Sequence, residues 1–325
     1  MKIGVIIKDP NVEPGGLDQF FKYFTEYLEN LGHTLLYDFS NTPVDLMFLT
    51  HSNSGIATHG LRVLEEYLIQ YPGTIFVHRI NKCDEHFGFN GENEKTLRVN
   101  TFANYTVFIS SFVRDLYTSQ GFDRGRPHSI ILNGADERIF NPSGRSDWKQ
   151  GDRLRIITHH LSTAYNKGFD IYARLDSLLG LKPFSELFEF TFVGNLPKDL
   201  RLKNTQVVSP LRGSELAKVI KHHHVYLTAS RNEAAGMHHI EGMRCGLPVL
   251  YLNSGALPEY CSSYGVEFTV VDFEKKLLTM VERYPALRER VLHVPYTADS
   301  MCSQYETLFS DLLRRERQKT SSAQV

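Results

Sequence analysis

The sequence predicts an α/β protein of two domains, each a parallel sheet with helices on both faces, and three observations carry that expectation. Short apolar, β-branched runs alternate with segments of helical period along the 325-residue chain. The alternation pauses at a polar, turn-rich stretch, Pro142-Ser143-Gly144-Arg145-Ser146, and then starts again. A chain of this length also exceeds one ordinary domain and suits two.

Taken in order, KIGVIIK (Lys2 to Lys8) reads as a buried strand because it is nearly continuously apolar. The loop DPNVEPGG closes on Gly15 and Gly16. From there Leu17, Phe20, Phe21, Phe24, Tyr27, Leu28 and Leu31 recur at helical spacing, and Gly32 stops the helix. HTLLYDF (His33 to Phe39) and VDLMFLT (Val44 to Thr50) are the next strands. A helix near Leu61 to Gln70 precedes TIFVHRI (Thr74 to Ile80), and YTVFIS (Tyr105 to Ser110) leads into another helix. Gly15-Gly16 stand where strand meets helix, so their backbone can approach a ligand, or they are only steric. His78, Arg79 and Asn81, after the fourth strand, lie at the carboxyl edge where open sheets of this class hold ligands; a hydrogen-bonded structural trio is the competing reading.

The first domain is expected to cover 1–146 and the second 147–298. RLRIITHH (Arg153 to His160) opens the second, and Lys167-Gly168 follow in the loop before a helix over Phe169 to Leu179. A lysine there either neutralises a diphosphate as a point charge or faces solvent. LFEFTFVGN (Leu187 to Asn195) ends in Gly194-Asn195, a turn suited to facing a base or ribose. TQVVS (Thr205 to Ser209) and a helix from Gly213 to Lys221 come next. His222, His223 and His224 are consecutive, so they point apart and no metal is expected. VEFTVVD (Val266 to Asp272) is the last strand. Asp299 to Arg314 carries Met301, Cys302, Tyr305, Leu308, Phe309 and Leu312 at helical spacing, before a charged tail expected to fray at 317–325.

The most informative stretch is SRNEAAGMHHIEGMRCGLPV, Ser230 to Val249. Strand-like HVYLTA precedes it and VLYL follows, so it reads as a glycine turn, a short helix and a Gly246-Leu247-Pro248 stop within one βαβ unit. The free amides of Gly236, Met237 and His238 and the helix dipole then form a seat for phosphate. Glu241 lies roughly 7 Å along the helix from Gly236, about the span from a diphosphate to its ribose hydroxyls. Glu233, still in the loop, reaches past the diphosphate toward whatever it carries. A lone pair of acids at this spacing is ordinarily a solvated surface; the phosphate seat between them favours a sugar-nucleotide site.

Composition narrows the classes. Hydrophobic residues are 42% of the chain, enough for two cores, and 36 Lys+Arg against 37 Asp+Glu leave no basic field for nucleic acid. No apolar run reaches a membrane span, and Met1 to Ile7 reads as a strand rather than a signal peptide. Cys83, Cys245, Cys261 and Cys302 show no paired spacing, which suits reduced thiols and a cytoplasmic protein with at most peripheral membrane contact.

Gly15-Gly16 before an amphipathic helix, NGADERIFNP (Asn133 to Pro142), NKGFD around Lys167, FVGN (Phe192 to Asn195), the two glutamates followed by CGLPV, and SGALPEY (Ser254 to Tyr260) appear in one order along nearly the whole chain. In this the sequence resembles glycosyltransferase family 4, of GT-B architecture. The resemblance implies two facing Rossmann-like doubly wound domains, with a helix at 299–316 crossing back to pack on the N-terminal domain. It implies Glu241 on the ribose, Glu233 and Lys167 at the donor sugar and diphosphate, the Gly15-Gly16 loop on the phosphate from the other domain, and His78 near the donor sugar. Members usually carry an arginine in a GRL sequence before the lysine. Here His159-His160-Leu161 stands in its place, so His160, only partly charged near neutrality, takes that position. Ala234-Ala235 replaces the usual aromatic residue.

The implied activity is transfer of a sugar from a nucleoside diphosphate to a glycan, lipid-linked or small-molecule hydroxyl, with retention and without a metal or cofactor, as in polysaccharide biosynthesis. Asn195 would line the base or ribose, and the amides of Gly236 to His238 with Lys167 and His160 would meet the charge of the leaving group. A non-catalytic GT-B module that binds a nucleotide sugar or glycan is the alternative. A glycosidase is disfavoured because Glu241 sits inside a helix beside a phosphate seat. A dinucleotide oxidoreductase would want GxGxxG after the first strand, where this chain has Gly15-Gly16-Leu17-Asp18.

Overall fold

The computed structural model describes residues 1–6, 16–38, 41–50, 56–88 and 91–322. The chain divides into two units, Met1–Asn133 with Ala298–Val325, and Gly134–Thr297. The first contains, in order, β1 (Lys2–Ile6), α1 (Gly16–Asn30), β2 (Thr34–Leu36), β3 (Leu46–Leu49), α2 (Ile56–Gln70), β4 (Ile75–Ile80), α3 (Asp84–Phe87), α4 (Glu92–Asn100), β5 (Tyr105–Phe108), α5 (Ser111–Ser119) and β6 (His128–Ile130). The second contains β7 (Leu154–His160), a 3₁₀ turn at Tyr165–Lys167, α6 (Phe169–Leu179), α7 (Phe184–Leu187), β8 (Phe188–Gly194), β9 (Gln206–Val208), α8 (Gly213–Lys221), β10 (Val225–Thr228), α9 (Met237–Arg244), β11 (Val249–Leu252), α10 (Leu257–Cys261), β12 (Gly265–Phe268) and α11 (Phe273–Val291). The last helix, α12 (Ala298–Ser322), returns to the first unit.

Each unit holds one six-stranded sheet, ordered β2-β1-β3-β4-β5-β6 in the first and β12-β11-β10-β7-β8-β9 in the second. All pairings are parallel. Strands buried on both faces explain the unbroken apolar runs: every residue of β3, β4, β10 and β11 is buried. Both units are thus doubly wound α/β sheets, as the periodicity predicts. Among the described residues no helix is long and apolar enough to cross a membrane.

In the first unit the aromatic stripe of α1 meets α12 over β3. Phe24 stacks on Phe48 at 4.7 Å, and Tyr305 stands edge-on to Phe24 at 5.5 Å. Tyr305 and Phe309 are fully buried there. The helix expected at 299–316 therefore completes this core rather than lying loosely on it. It also continues helical to Ser322, through residues expected as tail, where Lys319 pairs with Glu316 at 3.2 Å one turn back.

Two further expectations are corrected. His78 and Arg79 lie inside β4, not beyond it. His78 is 1% exposed, faces Phe76, and its Nδ1 is 3.1 Å from Asn100 Nδ2; burial alone pushes its pKa down to about 3. It is a neutral core histidine, shielded by the strands on either side. Arg79 is a structural pin: its guanidinium donates to Tyr305 Oη at 2.9 Å, Thr50 Oγ1 at 2.8 Å and Asn133 Oδ1 at 2.7 Å, 3.9 Å over the Phe20 ring. The unit boundary also falls at Asn133/Gly134, earlier than 146. Residues 134–146 bond within the second unit, through Ala135 N to Tyr296 O, Ser146 N to Lys221 O and Arg145 Nη1 to Gly246 O.

The histidine triplet serves packing, each ring finding a different partner. His222 Nδ1 donates to Lys218 O and His223 Nδ1 to Val219 O, while His224 Nδ1 accepts from Arg155 N.

Candidate active site

The site is built on the β10–α9 turn. Buried β10 delivers the chain to a loop in which Asn232 takes a left-handed conformation, φ 50°. Gly255, at φ 60°, allows the 254–256 segment to press against that loop; a Cβ on it would lie 2.4 Å from Glu233 N. Ser254 Oγ then accepts from Asn232 N at 2.8 Å, and Glu233 O accepts from Ala256 N at 2.7 Å. These contacts fix Glu233 at the mouth of α9. The helix starts after Gly236, whose φ of −66° and ψ of 147° are extended and which offers no capping side chain. Its first amides therefore lack intrahelical partners and point outward. Crowding explains the glycine: a Cβ would lie 2.6 Å from the His238 ring and 2.9 Å from Glu233 Cδ.

Both acids are buried, and each meets a basic side chain. Glu233 is 3% exposed and its Oε2 accepts from Lys167 Nζ at 3.0 Å. Lys167 ends the 3₁₀ turn, and Gly168 at φ 89° lets the chain turn sharply past Ala229 to bring the ammonium there. Glu241 is also 3% exposed, with its Oε2 2.9 Å from His159 Nε2. A carboxylate withdrawn from water needs such a partner to stay charged.

Beneath the helix tip lie three neutral imidazoles. His160 Nε2 pairs with Tyr172 Oη at 2.8 Å, and the His160 and His238 rings are 4.9 Å apart. Burial first, then the positive charge of Lys167, hold His160 well below its ordinary pKa. His238 Nε2 pairs with Thr228 Oγ1 at 2.8 Å, and burial with the neighbouring His160 depresses it likewise. His239 is fully buried, is pushed down to about 4 by burial, and neither ring nitrogen has a hydrogen-bond partner among the described residues. The expectation of a partly charged His160 is therefore corrected: the ring is neutral because solvation is lost and a lysine is already near.

The structure brings Lys167, Glu233, Gly236, Met237, His238 and Glu241 together around the start of α9. Exposed Asn195 follows β8, where its N donates to His160 O at 3.1 Å and its Nδ2 to Leu161 O at 3.0 Å, so it braces the end of β7. Gly16 is the first residue of α1 in the other unit, and Gly15 lies outside the described residues. His78 is in the core of that unit, as described above. Sequence reasoning missed His159 and Tyr226. The one available signal was strand alternation, which sends His159 and His160 to opposite sides of β7, so that only one of the doublet can replace the arginine.

Residues 191–283 match the family "glycosyl transferases group 1", a span that includes Glu233, Gly236 and Glu241. The chain is 26% identical over 140 residues to N-acetyl-alpha-D-glucosaminyl L-malate synthase of Bacillus anthracis, covering 40% of this chain and 36% of that one. It is 23% identical over 176 residues to the phosphatidylinositol N-acetylglucosaminyltransferase gpi3 subunit of Schizosaccharomyces pombe, covering 51% and 37%. The match thus spans little more than a third of the length of these curated relatives. Among solved structures, Anabaena HepE in complex with UDP matches at a TM-score of 0.73 and 15% identity, over 96% of this chain and 100% of that one. Sucrose-phosphate synthase from Thermosynechococcus elongatus matches at 0.71 and 15%, over 97% and 99%. At such identities the likeness shows the fold alone. The two parallel six-stranded sheets are those of the GT-B fold, and the match to the glycosyl transferases of group 1 lies over residues 191–283, the part of the chain that carries both glutamates.

Proposed function

We propose that this protein is a retaining, metal-independent glycosyltransferase of the family 4 type that moves a sugar from a nucleoside diphosphate to an acceptor hydroxyl. The observation that carries this reading is the pair of buried acids flanking an uncapped helix tip, Glu233 held by Lys167 at 3.0 Å and Glu241 facing His159 at 2.9 Å. In the proposed complex the α9 amides and Lys167 hold the diphosphate and take up the charge that grows on it as the glycosidic bond breaks. Glu233 orients the sugar and Glu241 the ribose. Lys167 then turns from Glu233 toward the arriving phosphates, a small displacement for a flexible stem.

The names of both relatives refer to N-acetylglucosaminyl groups, and HepE is described in complexes with UDP and UDP-glucose, so UDP-sugars head the panel of donors. The acceptor is a glycan, a lipid-linked sugar or a small molecule. The four buried free cysteines suit a reducing cytosol, with membrane contact at most peripheral.

The test is turnover of UDP-, GDP- and ADP-sugars, with and without acceptors, in the presence of EDTA. Transfer, or slow hydrolysis of one donor, with the anomeric configuration kept in the NMR coupling, is the expected result. Tight nucleotide binding with neither reaction across the panel would instead make the chain a binding module. Glu241→Ala should raise the donor KM by about 10-fold with kcat little changed, and a pure loss of kcat would contradict the ribose role.

A further inference from the structure

We propose that His159 is a positioning residue for nucleotide recognition: backed by Tyr226, it holds one oxygen of Glu241 so that the other is presented to the ribose hydroxyls. The proposal rests on the donor-binding reading above and adds a residue to it.

Three elements meet at this point. β7 supplies His159, β10 supplies Tyr226 and α9 supplies Glu241. Tyr226 is fully buried, and its hydroxyl accepts from His159 N at 3.2 Å and faces His159 Nδ1 at 3.0 Å. Burial, with the neighbouring Tyr172, raises the Tyr226 pKa well above its ordinary value, so the phenol keeps its proton. With one acceptor site taken by a backbone amide, that hydroxyl is placed to donate its own proton to Nδ1. The imidazole proton then resides on Nε2, the nitrogen 2.9 Å from Glu241 Oε2. A bare nitrogen lone pair at that distance from a carboxylate would be repelled, so both ends of the ring point to the same tautomer.

Glu241 Oε1, in contrast, has no partner among the described residues. A glutamate on a helix has three rotatable bonds, and the held Oε2 fixes them while the rest of the side chain stays buried. The packing that brings α9 so close depends on Gly242, the next residue, where a Cβ would lie 2.4 Å from the Tyr226 ring. The arrangement therefore delivers one oriented, unshared oxygen on a largely buried carboxylate, which is what two vicinal hydroxyls require and what a diphosphate does not.

The experiment compares UDP with 2′,3′-dideoxy-UDP by calorimetry on wild type, His159→Ala, His159→Gln and Glu241→Gln. Wild type should prefer UDP by about 10-fold or more, the worth of hydrogen bonds to a charged group. His159→Ala should lose most of that preference by weakening UDP alone, with a raised donor KM and kcat retained. Gln, whose amide reaches the place of Nε2, should restore part of it. Equal weakening of both nucleotides by His159→Ala would mean that His159 only packs against Tyr226, and the proposal fails. Should His159→Ala not fold, His159→Gln against His159→Asn reads the same contrast, since the shorter amide cannot reach; equal preferences would overturn the proposal. If Glu241→Gln keeps the full preference for UDP, then Glu241 does not hold the ribose, and the reading of the donor site falls with this inference.

Discussion

Lys167 and Glu233 sit at 3.0 Å in a place where neither charge is well solvated, the side chains being 15% and 4% exposed. Removing one partner of such a pair strands the other, typically at a cost of about 3–5 kcal/mol. Lys167→Ala should therefore do two separable things. Donor turnover should fall by about 10²-fold or more, because a donor to the leaving diphosphate is gone. Stability should also fall, and adding Glu233→Gln should recover stability without recovering turnover. Initial rates and urea unfolding on the single and double variants separate the two effects, and near-normal turnover of Lys167→Ala would remove the diphosphate role. His160, by contrast, contributes no charge in this structure, since burial and Lys167 oppose its protonation together.

At the scale of the element, α9 is positioned by what its residues lack. Glycine in mid-helix ordinarily costs about 0.5–1 kcal/mol against alanine, and Gly242 should be a candidate for stabilisation by that rule alone. Space decides otherwise, because the Cβ would lie 2.4 Å from Tyr226 Cγ and Cδ2. Gly242→Ala should destabilise by about 1–3 kcal/mol as α9 lifts off β10. It should also raise the donor KM, since Glu241 moves with the helix. A Tm unchanged or raised in this variant would show that the sheet can yield there. The length of α9 could be read from the sequence, through Gly236 before it and Cys245-Gly246 after it. Its depth over β10 could not, because that depends on the ring it rests on.

For the whole molecule, two features bear on stability. The first is α12, which leaves the second unit's sequence neighbourhood to seal the core of the first. Tyr305 is fully buried against Phe24 and Phe48 and accepts from Arg79 Nε at 2.9 Å. Tyr305→Ala should cost about 3–5 kcal/mol by leaving a cavity, measured by urea unfolding. A loss below 1 kcal/mol would mean that α12 is not part of that core. The second feature is the number of histidines held neutral. Burial lowers His78 and His224 to about 3 and His223 and His239 to about 4, and holds His160 and His238 well below the ordinary 6.5. Their folded pKa values are depressed, so between 6.5 and about 4 the unfolded chain binds more protons and stability falls with falling pH. The slope is up to about 1.4 kcal/mol per pH unit for each histidine. The urea midpoint should therefore be markedly lower at pH 5 than at pH 7, and equal midpoints would sink this account.

The sequence by itself determined the parallel α/β character of both halves, the βαβ unit that carries Glu233 and Glu241, and the loop lysine Lys167, because these are written in local periodicity, glycine placement and spacing along one stretch of chain. Tertiary structure alone decided that His159 faces Glu241, that His160 and His78 are sealed and neutral, that residues 134–146 pack with the second unit, and that α12 fills the core of the first. Alternation along a strand says which residues share a face. It does not say which distant helix will cover that face or how much water will be left there, and those two quantities set both the partner and the charge of a titratable side chain.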